Sequence, residues 1–183
     1  MISPPRSAYV HIPFCHRRCF YCDFSIVPLG DEVDSLKGNK SEVINDYLCF
    51  LKKEILSIKH KSPLSTIYIG GGTPSILDPT QMADLISIFQ SHYGIDYGAE
   101  ITMEVDPASF EEKDLYGFIN AGINRVSLGA QSFNNLVLKE AGRRHTSIDV
   151  REACNWLKNA REGNYIKSWS LDLIQNLPKS TSL

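Results

Sequence analysis

Residues 8–22 read Ala-Tyr-Val-His-Ile-Pro-Phe-Cys-His-Arg-Arg-Cys-Phe-Tyr-Cys, a short apolar strand pattern followed at once by three cysteines. Their spacing, Cys15, Cys19 and Cys22, is typical of an iron–sulfur cluster. Three thiolates can hold three irons of a cubane cluster and leave the fourth iron free for a substrate or cofactor. Structural zinc sites usually have four ligands in two close pairs, and the sequence contains no second Cys-x-x-Cys pair. His16 could serve as a fourth ligand if the metal were zinc.

Length, charge and hydropathy exclude several classes of protein. With 183 residues, of which 43% are hydrophobic, the chain can bury one core, as one domain or a piece of a larger one. A net charge of −2 gives no electrostatic reason to expect nucleic acid or a membrane surface as a partner. No apolar run approaches the roughly 20 residues that span a bilayer. Residues 1–7 show no targeting segment, so we expect a cytoplasmic protein, with mitochondrion or plastid as the alternative if such a segment is missing.

The other two cysteines, Cys49 and Cys154, stand alone inside helix-like segments. An odd total of five, with three clustered, suits a reducing compartment better than a disulfide framework. We therefore expect Cys49 and Cys154 to be small buried hydrophobic residues.

Short β-branched runs alternate with longer helical patterns along the chain. Strands are predicted at 8–12, 66–69, 100–105, 125–128 and 168–174, and helices at 43–60, 79–90, 110–121, 134–140 and 149–160. Asp78 is the expected N-cap of the second helix, and Gly122 the left-handed residue that ends the third. Five strand–helix repeats predict an α/β fold with a parallel sheet, either doubly wound or closing as a barrel.

Polar and glycine motifs fall where each predicted strand ends. The cysteines follow the first strand, Gly70-Gly-Gly72 follows the second, and Glu104 and Asp106 close the third. Gln131 follows the fourth strand and Asp172 lies in the fifth. Parallel α/β folds bind ligands at the carboxyl edge of the sheet, so we expect these groups to converge on one site.

Four further motifs give the chain a family resemblance. They are Tyr9-Val-His-Ile-Pro-Phe-Cys15, Gly70-Gly-Gly-Thr-Pro-Ser75, Met103-Glu-Val-Asp-Pro107 and Gly129-Ala-Gln-Ser-Phe133. Together with the cysteines they resemble the radical S-adenosylmethionine (SAM) superfamily over residues 7–178. The nearest branch contains oxygen-independent coproporphyrinogen dehydrogenase (HemN) and the haem chaperone HemW. The resemblance implies an incomplete parallel (β/α)6 partial barrel of about five βα units, with residues 1–183 as one core domain and 28–41 as a flexible loop.

The resemblance also implies a chemistry. Cys15, Cys19 and Cys22 would ligate a [4Fe-4S] cluster whose free iron binds SAM. One electron then cleaves a carbon–sulfur bond and gives methionine and a 5′-deoxyadenosyl radical. This work belongs to the cofactor, so no catalytic side chain is assigned. An electron donor and a haem or porphyrin are the implied partners.

By the same resemblance a set of residues contacts SAM: Tyr9, Tyr21, Gly71, Gly72, Thr73, Glu104, Gln131, Arg143 and Asp172. Simpler interpretations stay open for several of them. The glycine run could form only a tight turn, Glu104 could be a satisfied inward carboxylate, and Arg143 a solvated surface charge. We expect His11 to be a hydrogen-bonded strand residue, Arg17 and Arg18 to be solvated, and Trp156 and Trp169 to serve packing.

Two departures bear on the branch. Phe24 stands where the dehydrogenase branch has a further cysteine, and residues 142–146 and 149–153 look more like the chaperone branch. We therefore expect a HemW-like protein that holds haem and delivers it to an acceptor protein. The alternatives are a dehydrogenase that makes protoporphyrinogen IX from coproporphyrinogen III by radical oxidative decarboxylation, and an inactive or zinc-binding interaction module.

The end of the chain is a third departure from the family pattern. Members of this branch continue past the position of Pro178 into a sixth strand and a C-terminal helical domain. In the chaperone branch that domain carries a His-Asn-x-x-Tyr-Trp motif linked to haem binding. Neither is present in this sequence, which therefore resembles a truncated member.

Overall fold

The computed structural model describes residues 5–30, 41–59 and 62–180. Within these ranges the strands are β1 (Ser7–Ile12), β2 (Phe14–Cys15), β3 (Val27–Pro28), β4 (Leu64–Gly71), β5 (Ile95–Val105), β6 (Arg125–Gln131) and β7 (Ser168–Leu173). The α-helices are α1 (Glu42–Ser57), α2 (Pro79–His92), α3 (Glu112–Asn120), α4 (Asn135–Glu140) and α5 (Ser147–Glu162), and a 3₁₀ turn covers Pro74–Ile76.

The main sheet has the strand order β1-β4-β5-β6-β7, and every neighbouring pair is parallel. Ile12 pairs with Gly71, and Val105 pairs with Leu128, so the carboxyl ends of the strands meet at one edge. The predicted α/β fold with a parallel sheet is confirmed. In the part of the chain that the structure describes, β1 and β7 form the two edges of the sheet and do not pair with each other.

The core lies on the face of this sheet that the helices cover. Ile69, Met103 and Leu128 are fully buried, and their alternate positions along paired strands point them all to this one face. Helices α3 and α5 contribute Leu115 and Leu157, which are equally buried. This packing fixes where each strand ends and therefore where the side chains at the carboxyl edge point.

Element boundaries differ from the prediction where local chemistry overrides periodicity. Helix α5 begins at Ser147 because Thr146 and Asp149 form a capping box, in which the Asp149 carboxylate accepts from the Thr146 N–H at 2.6 Å. Strand β5 begins at Ile95 because its first residue already pairs with Leu64. A register shift follows, and Gly98 in this stretch takes a φ of +82°. The caps at Asp78 and Gly122 are confirmed, with Thr80 N–H donating to Asp78 at 2.8 Å and a φ of +115° at Gly122.

The predicted flexible segment 28–41 is described only at its two ends, because residues 31–40 lie outside the described residues. At its start, Val27–Pro28 pairs with Phe14–Cys15 as a two-stranded parallel ribbon. The Leu29 N–H donates to the Cys15 carbonyl at 2.8 Å. This segment therefore begins as a continuation of the cysteine loop.

Two expectations about single residues have different outcomes. Trp156 packs edge-on against Phe110 with 5.7 Å between ring centroids, which confirms a packing role. Cys49 is exposed on α1, so the prediction that it is buried is wrong; Cys154 is half-buried. The periodicity of α1 placed Cys49 next to apolar positions, but its own face points away from the sheet.

None of the helices in the described ranges is long and apolar enough to cross a membrane.

Candidate functional site

A cleft of about 200 Å³ opens at the carboxyl edge of the main sheet. Cys15, Cys19 and Cys22 all line it. So do eight of the nine residues predicted to contact SAM: Tyr21, Gly71, Gly72, Thr73, Glu104, Gln131, Arg143 and Asp172. The structure thus gathers residues from the ends of four strands and from two loops around one space.

Backbone contacts hold the cysteine loop in place. The Cys22 N–H donates to the Cys19 carbonyl at 3.1 Å, and the Phe20 N–H donates to the Ala141 carbonyl at 3.1 Å. Arg18, which we expected to be solvated, donates to the carbonyls of Cys22 and Phe24, each at 2.9 Å. The loop is therefore fixed by its own residues and by the chain that follows α4.

Two of the three sulfur atoms accept hydrogen bonds from outside the loop. Thr73 Oγ1 lies 3.3 Å from Cys15 Sγ, and Arg143 Nη1 lies 3.4 Å from Cys19 Sγ. Burial raises the pKa of the Cys15 thiol, the Thr73 hydroxyl lowers it, and the neighbouring cysteines raise it. Donors of this kind stabilise thiolate ligands.

The three clustered cysteines share one cleft. Each thiolate of a [4Fe-4S] cluster binds its own iron, so three thiolates can hold three irons and leave the fourth iron open to a ligand. Among the described residues, no group of three or more His, Cys, Asp or Glu side chains is placed to hold one metal ion.

The glycine run allows β4 to approach the cysteine loop. A Cβ at Gly72 would lie 2.6 Å from the Phe14 carbonyl oxygen and 2.9 Å from Cys15 Sγ. Gly71 has a φ of +115°, in the left-handed region that favours glycine. Gly71 ends β4, and the Gly72 N–H donates to the Ile12 carbonyl at 2.8 Å. Both glycines line the cleft, and their contact with SAM stays a prediction.

Glu104 carries a carboxylate that is half satisfied by the protein. Its Oε1 accepts from the Tyr68 hydroxyl at 2.7 Å and its Oε2 accepts from the Gly71 N–H at 3.1 Å. Burial and the hydrogen bond to Glu104 raise the pKa of Tyr68. An ionised carboxylate has about four acceptor positions, so Glu104 keeps capacity for a ligand in the cleft.

Arg143 is not a surface charge, since its side chain is only 11% exposed. Its Nη2 pairs with the carboxylate of Asp106 and donates to the Gly129 carbonyl at 2.9 Å, while its Nη1 also donates to the Tyr21 hydroxyl at 3.2 Å. Burial would lower the pKa of Arg143, but the Asp106 carboxylate raises it above its ordinary value. The buried Nε has no hydrogen-bond partner among the described residues, which marks an unused donor in the site.

Gln131 and Asp172 complete the cleft from the last two strands. Gln131 has a φ of +65° beside a register shift between β6 and β7. Such backbone strain at the end of a strand is typical of functional sites. Asp172 is exposed to the cleft and accepts from the Ser127 hydroxyl at 3.0 Å.

Tyr9 is the predicted contact that the cleft does not include. Its ring is 62% exposed, and its hydroxyl lies 2.9 Å from Nδ1 of His11. Nε2 of His11 lies 3.0 Å from the Ser25 carbonyl, so His11 is a hydrogen-bonded strand residue, as expected. A contact between Tyr9 and SAM stays a prediction.

Asp106 lines the cleft, as its place at the end of the third predicted strand suggests, whereas no role was expected for His145. Asp106 follows Glu104 by two positions, so both carboxylates leave the end of β5 toward the same side. His145 is 2% exposed and lies 3.3 Å from Arg143 Nη2 through its Nδ1. The alternation of Glu104 and Asp106 was the available signal; the approach of His145 depends on the turn between α4 and α5 and has no local signature.

Comparisons with known proteins agree with this geometry. Residues 9–169 match the radical SAM superfamily. The chain is 41% identical to the heme chaperone HemW of Synechocystis sp. over 179 residues, which is 97% of this chain and 42% of that protein. It is 33% identical over 183 residues to the oxygen-independent coproporphyrinogen III oxidase of Escherichia coli, covering 97% of this chain and 36% of that one.

A solved structure shows the same fold. The Escherichia coli coproporphyrinogen III oxidase HemN, described as a radical SAM enzyme, superimposes with a TM-score of 0.80 at 31% identity, over 97% of this chain and 39% of that one. The chain spans less than half the length of these relatives. On the match over residues 9–169, the chain belongs to the radical SAM superfamily.

Proposed function

We propose that this chain is the part of a haem chaperone that binds a [4Fe-4S] cluster and SAM. One observation carries the proposal: Cys15, Cys19 and Cys22 line a single cleft together with eight of the nine residues that the resemblance assigns to SAM. These residues come from six separate places in the sequence. Their meeting at one edge of the sheet supports a common ligand.

In this proposal Cys15, Cys19 and Cys22 hold the cluster, and SAM lies beside it in the cleft. The cluster and SAM, when bound, supply reductive radical chemistry. The protein supplies binding and position. Glu104 keeps free acceptor positions for an ammonium or hydroxyl group, and Gly71 and Gly72 allow close approach to the backbone.

Zinc is the less favoured metal. The sequence has no second Cys-x-x-Cys pair that would close a four-ligand zinc site. The radical SAM superfamily matches residues 9–169, which include all three clustered cysteines.

The residue at position 24 favours haem binding over decarboxylation as the function. Phe24 lines the mouth of the cleft and is 63% exposed, where the dehydrogenase branch has a cysteine. The identity of 41% to a protein named heme chaperone, against 33% to a coproporphyrinogen III oxidase, points the same way. Coproporphyrinogen dehydrogenase is the second candidate, since both relatives match the same 97% of the chain. An electron donor and a haem-accepting protein are the partners that this function requires.

The test compares haem binding with decarboxylation on the same preparation. Haemin is titrated into the anaerobically reconstituted chain and followed by its Soret band, with the iron-free chain as the control for adsorption. A second sample receives coproporphyrinogen III, SAM and dithionite, and its porphyrin products are identified by mass spectrometry. The motif linked to haem binding in the chaperone branch is absent from this sequence, so the Synechocystis HemW is titrated alongside as a reference. We expect saturable haem binding by that relative, weaker haem binding by this chain, and no SAM-dependent loss of carboxyl groups from either protein. SAM-dependent decarboxylation would establish the second candidate, and a relative that shows no saturable haem binding would contradict the haem role.

A further inference from the structure

The guanidinium of Arg143 is fixed on three sides. Its Nη2 meets the Asp106 carboxylate, the Gly129 carbonyl at 2.9 Å and His145 Nδ1 at 3.3 Å. Its Nη1 faces the opposite way, toward Cys19 Sγ at 3.4 Å and the Tyr21 hydroxyl at 3.2 Å. A planar guanidinium held at Nη2 has little freedom left at Nη1.

The groups that hold Arg143 are themselves anchored to the sheet. The Asp106 N–H donates to Ser75 Oγ at 3.0 Å, and Asp106 Oδ1 accepts from the Ala108 N–H at 3.0 Å. His145 Nε2 lies 2.9 Å from the Ala130 carbonyl, which fixes its ring at the end of β6. The two side chains that hold Arg143 are therefore fixed in turn by the backbone at the ends of β5 and β6.

Arg143 brings a positive charge to Cys19. Arg143 and Asp106 form a compact ion pair in which the cationic end lies nearer the sulfur. Glu104 and Asp172 also line the cleft, and their hydrogen bonds go to Tyr68, Gly71 and Ser127. Arg143 donates to the Cys19 sulfur from a side chain that is itself fixed.

We propose that Asp106 and His145 are positioning residues that hold the Arg143 guanidinium against Cys19, so that it donates to this sulfur in the cluster-bound protein. The inference rests on the proposed function, because it concerns Cys19 as a cluster ligand. Hydrogen bonds to ligand sulfur and nearby positive charge raise the reduction potential of an iron–sulfur cluster. Asp106 and His145 therefore influence the reduction potential of the cluster through Arg143, without contacting the cluster themselves.

A double-mutant cycle tests this. The midpoint potential of the reconstituted cluster is measured without SAM by EPR-monitored redox titration in wild type, Arg143→Met, Asp106→Asn and the double variant. Arg143→Met lowers the potential, because it removes both a donor and a positive charge. In the Asp106→Asn background we expect the same substitution to have a much smaller effect, since Arg143 no longer sits against Cys19. Equal shifts in both backgrounds would overturn the inference.

Further variants keep the test decisive. Arg143→Met is repeated in a His145→Asn background, where a smaller shift is again expected, so the result does not depend on the folding of Asp106→Asn. Asp96→Asn, which breaks the surface pair between Arg6 and Asp96, is the matched charge control and should leave the Arg143→Met shift unchanged. A wild-type chain that assembles no cluster would overturn the proposed function and the inference together. A normal cluster with additive shifts would overturn the inference alone.

Discussion

Arg143 Nη1 lies 3.4 Å from Cys19 Sγ although the two residues are 124 positions apart in the sequence. The contact joins the loop that follows β1 to the turn between α4 and α5. The surroundings of the cysteine motif therefore depend on tertiary structure. Arg143 reaches Cys19 from a turn that follows β6 and α4.

Substitution of each clustered cysteine should remove the cluster. We expect Cys15→Ala, Cys19→Ala and Cys22→Ala to lose most iron and sulfide after anaerobic reconstitution, since each would ligate a different iron. Cys49→Ala is the matched control, because Cys49 is exposed on α1 and does not line the cleft. Iron content equal to wild type in any of the first three would contradict the ligand assignment.

Gly72→Ala should disturb the cysteine loop. The new methyl group would lie 2.6 Å from the Phe14 carbonyl oxygen and 2.9 Å from Cys15 Sγ. Relieving such a contact costs about 1–3 kcal/mol in the free energy of unfolding, and it should also lower the iron content. Gly98→Ala introduces a left-handed alanine into open space and should cost about 1 kcal/mol without loss of iron. Urea denaturation and iron analysis of the two variants separate these effects.

Glu104→Gln should weaken SAM binding without loss of the cluster. The amide keeps the shape of Glu104 but removes the negative charge available to a cationic or hydroxyl group of the ligand. A hydrogen bond to a charged group contributes about 1.5–3 kcal/mol, so affinity measured by anaerobic calorimetry should fall about tenfold or more. Glu100→Gln, on the same strand but outside the cleft, is the control. Unchanged affinity in Glu104→Gln would remove this residue from the site.

Asp106 should stabilise the fold in a pH-dependent way. Burial alone would raise the pKa of Asp106, but the Arg143 guanidinium and His145 hold it well below its ordinary value of 3.8. A lowered pKa in the folded state adds stability above the ordinary pKa, and this stability is lost as the pH falls toward the lowered value.

We therefore expect Asp106→Asn to cost about 3 kcal/mol at about pH 7, as in other broken buried pairs. The difference in the free energy of unfolding between wild type and Asp106→Asn should become smaller below about pH 4, where the Asp106 carboxyl of the unfolded chain takes up its proton. Urea denaturation of the two proteins from about pH 7 to about pH 3 measures this difference. A difference that stays constant or widens on acidification would contradict the assigned ion pair.

The fold could be predicted from the sequence because its determinants are local. Alternating segments such as 66–69 and 125–128, with glycine or a polar residue after each, mark buried parallel strands and their carboxyl ends. Once the strands are known to be parallel, the convergence of Cys15, Gly71, Glu104, Gln131 and Asp172 follows from topology.

Other parts of the site could not be predicted because they arise from tertiary contacts. Nothing near Asp106 or His145 in the sequence shows that both meet Arg143. Arg18 has the local pattern of a solvated residue, yet it binds carbonyls four and six positions ahead. The two-residue strands β2 and β3 are too short for a periodic signal, and their pairing depends on the return of the loop past Cys15.

Whether the chain binds a [4Fe-4S] cluster and SAM is tested most directly by metal analysis of the anaerobically reconstituted chain, with EPR spectra recorded before and after addition of SAM. We expect about four irons per chain, no stoichiometric zinc, and a reduced-cluster spectrum that changes when SAM binds. One zinc per chain with no iron, or an iron–sulfur spectrum that SAM leaves unchanged, would contradict the proposed function.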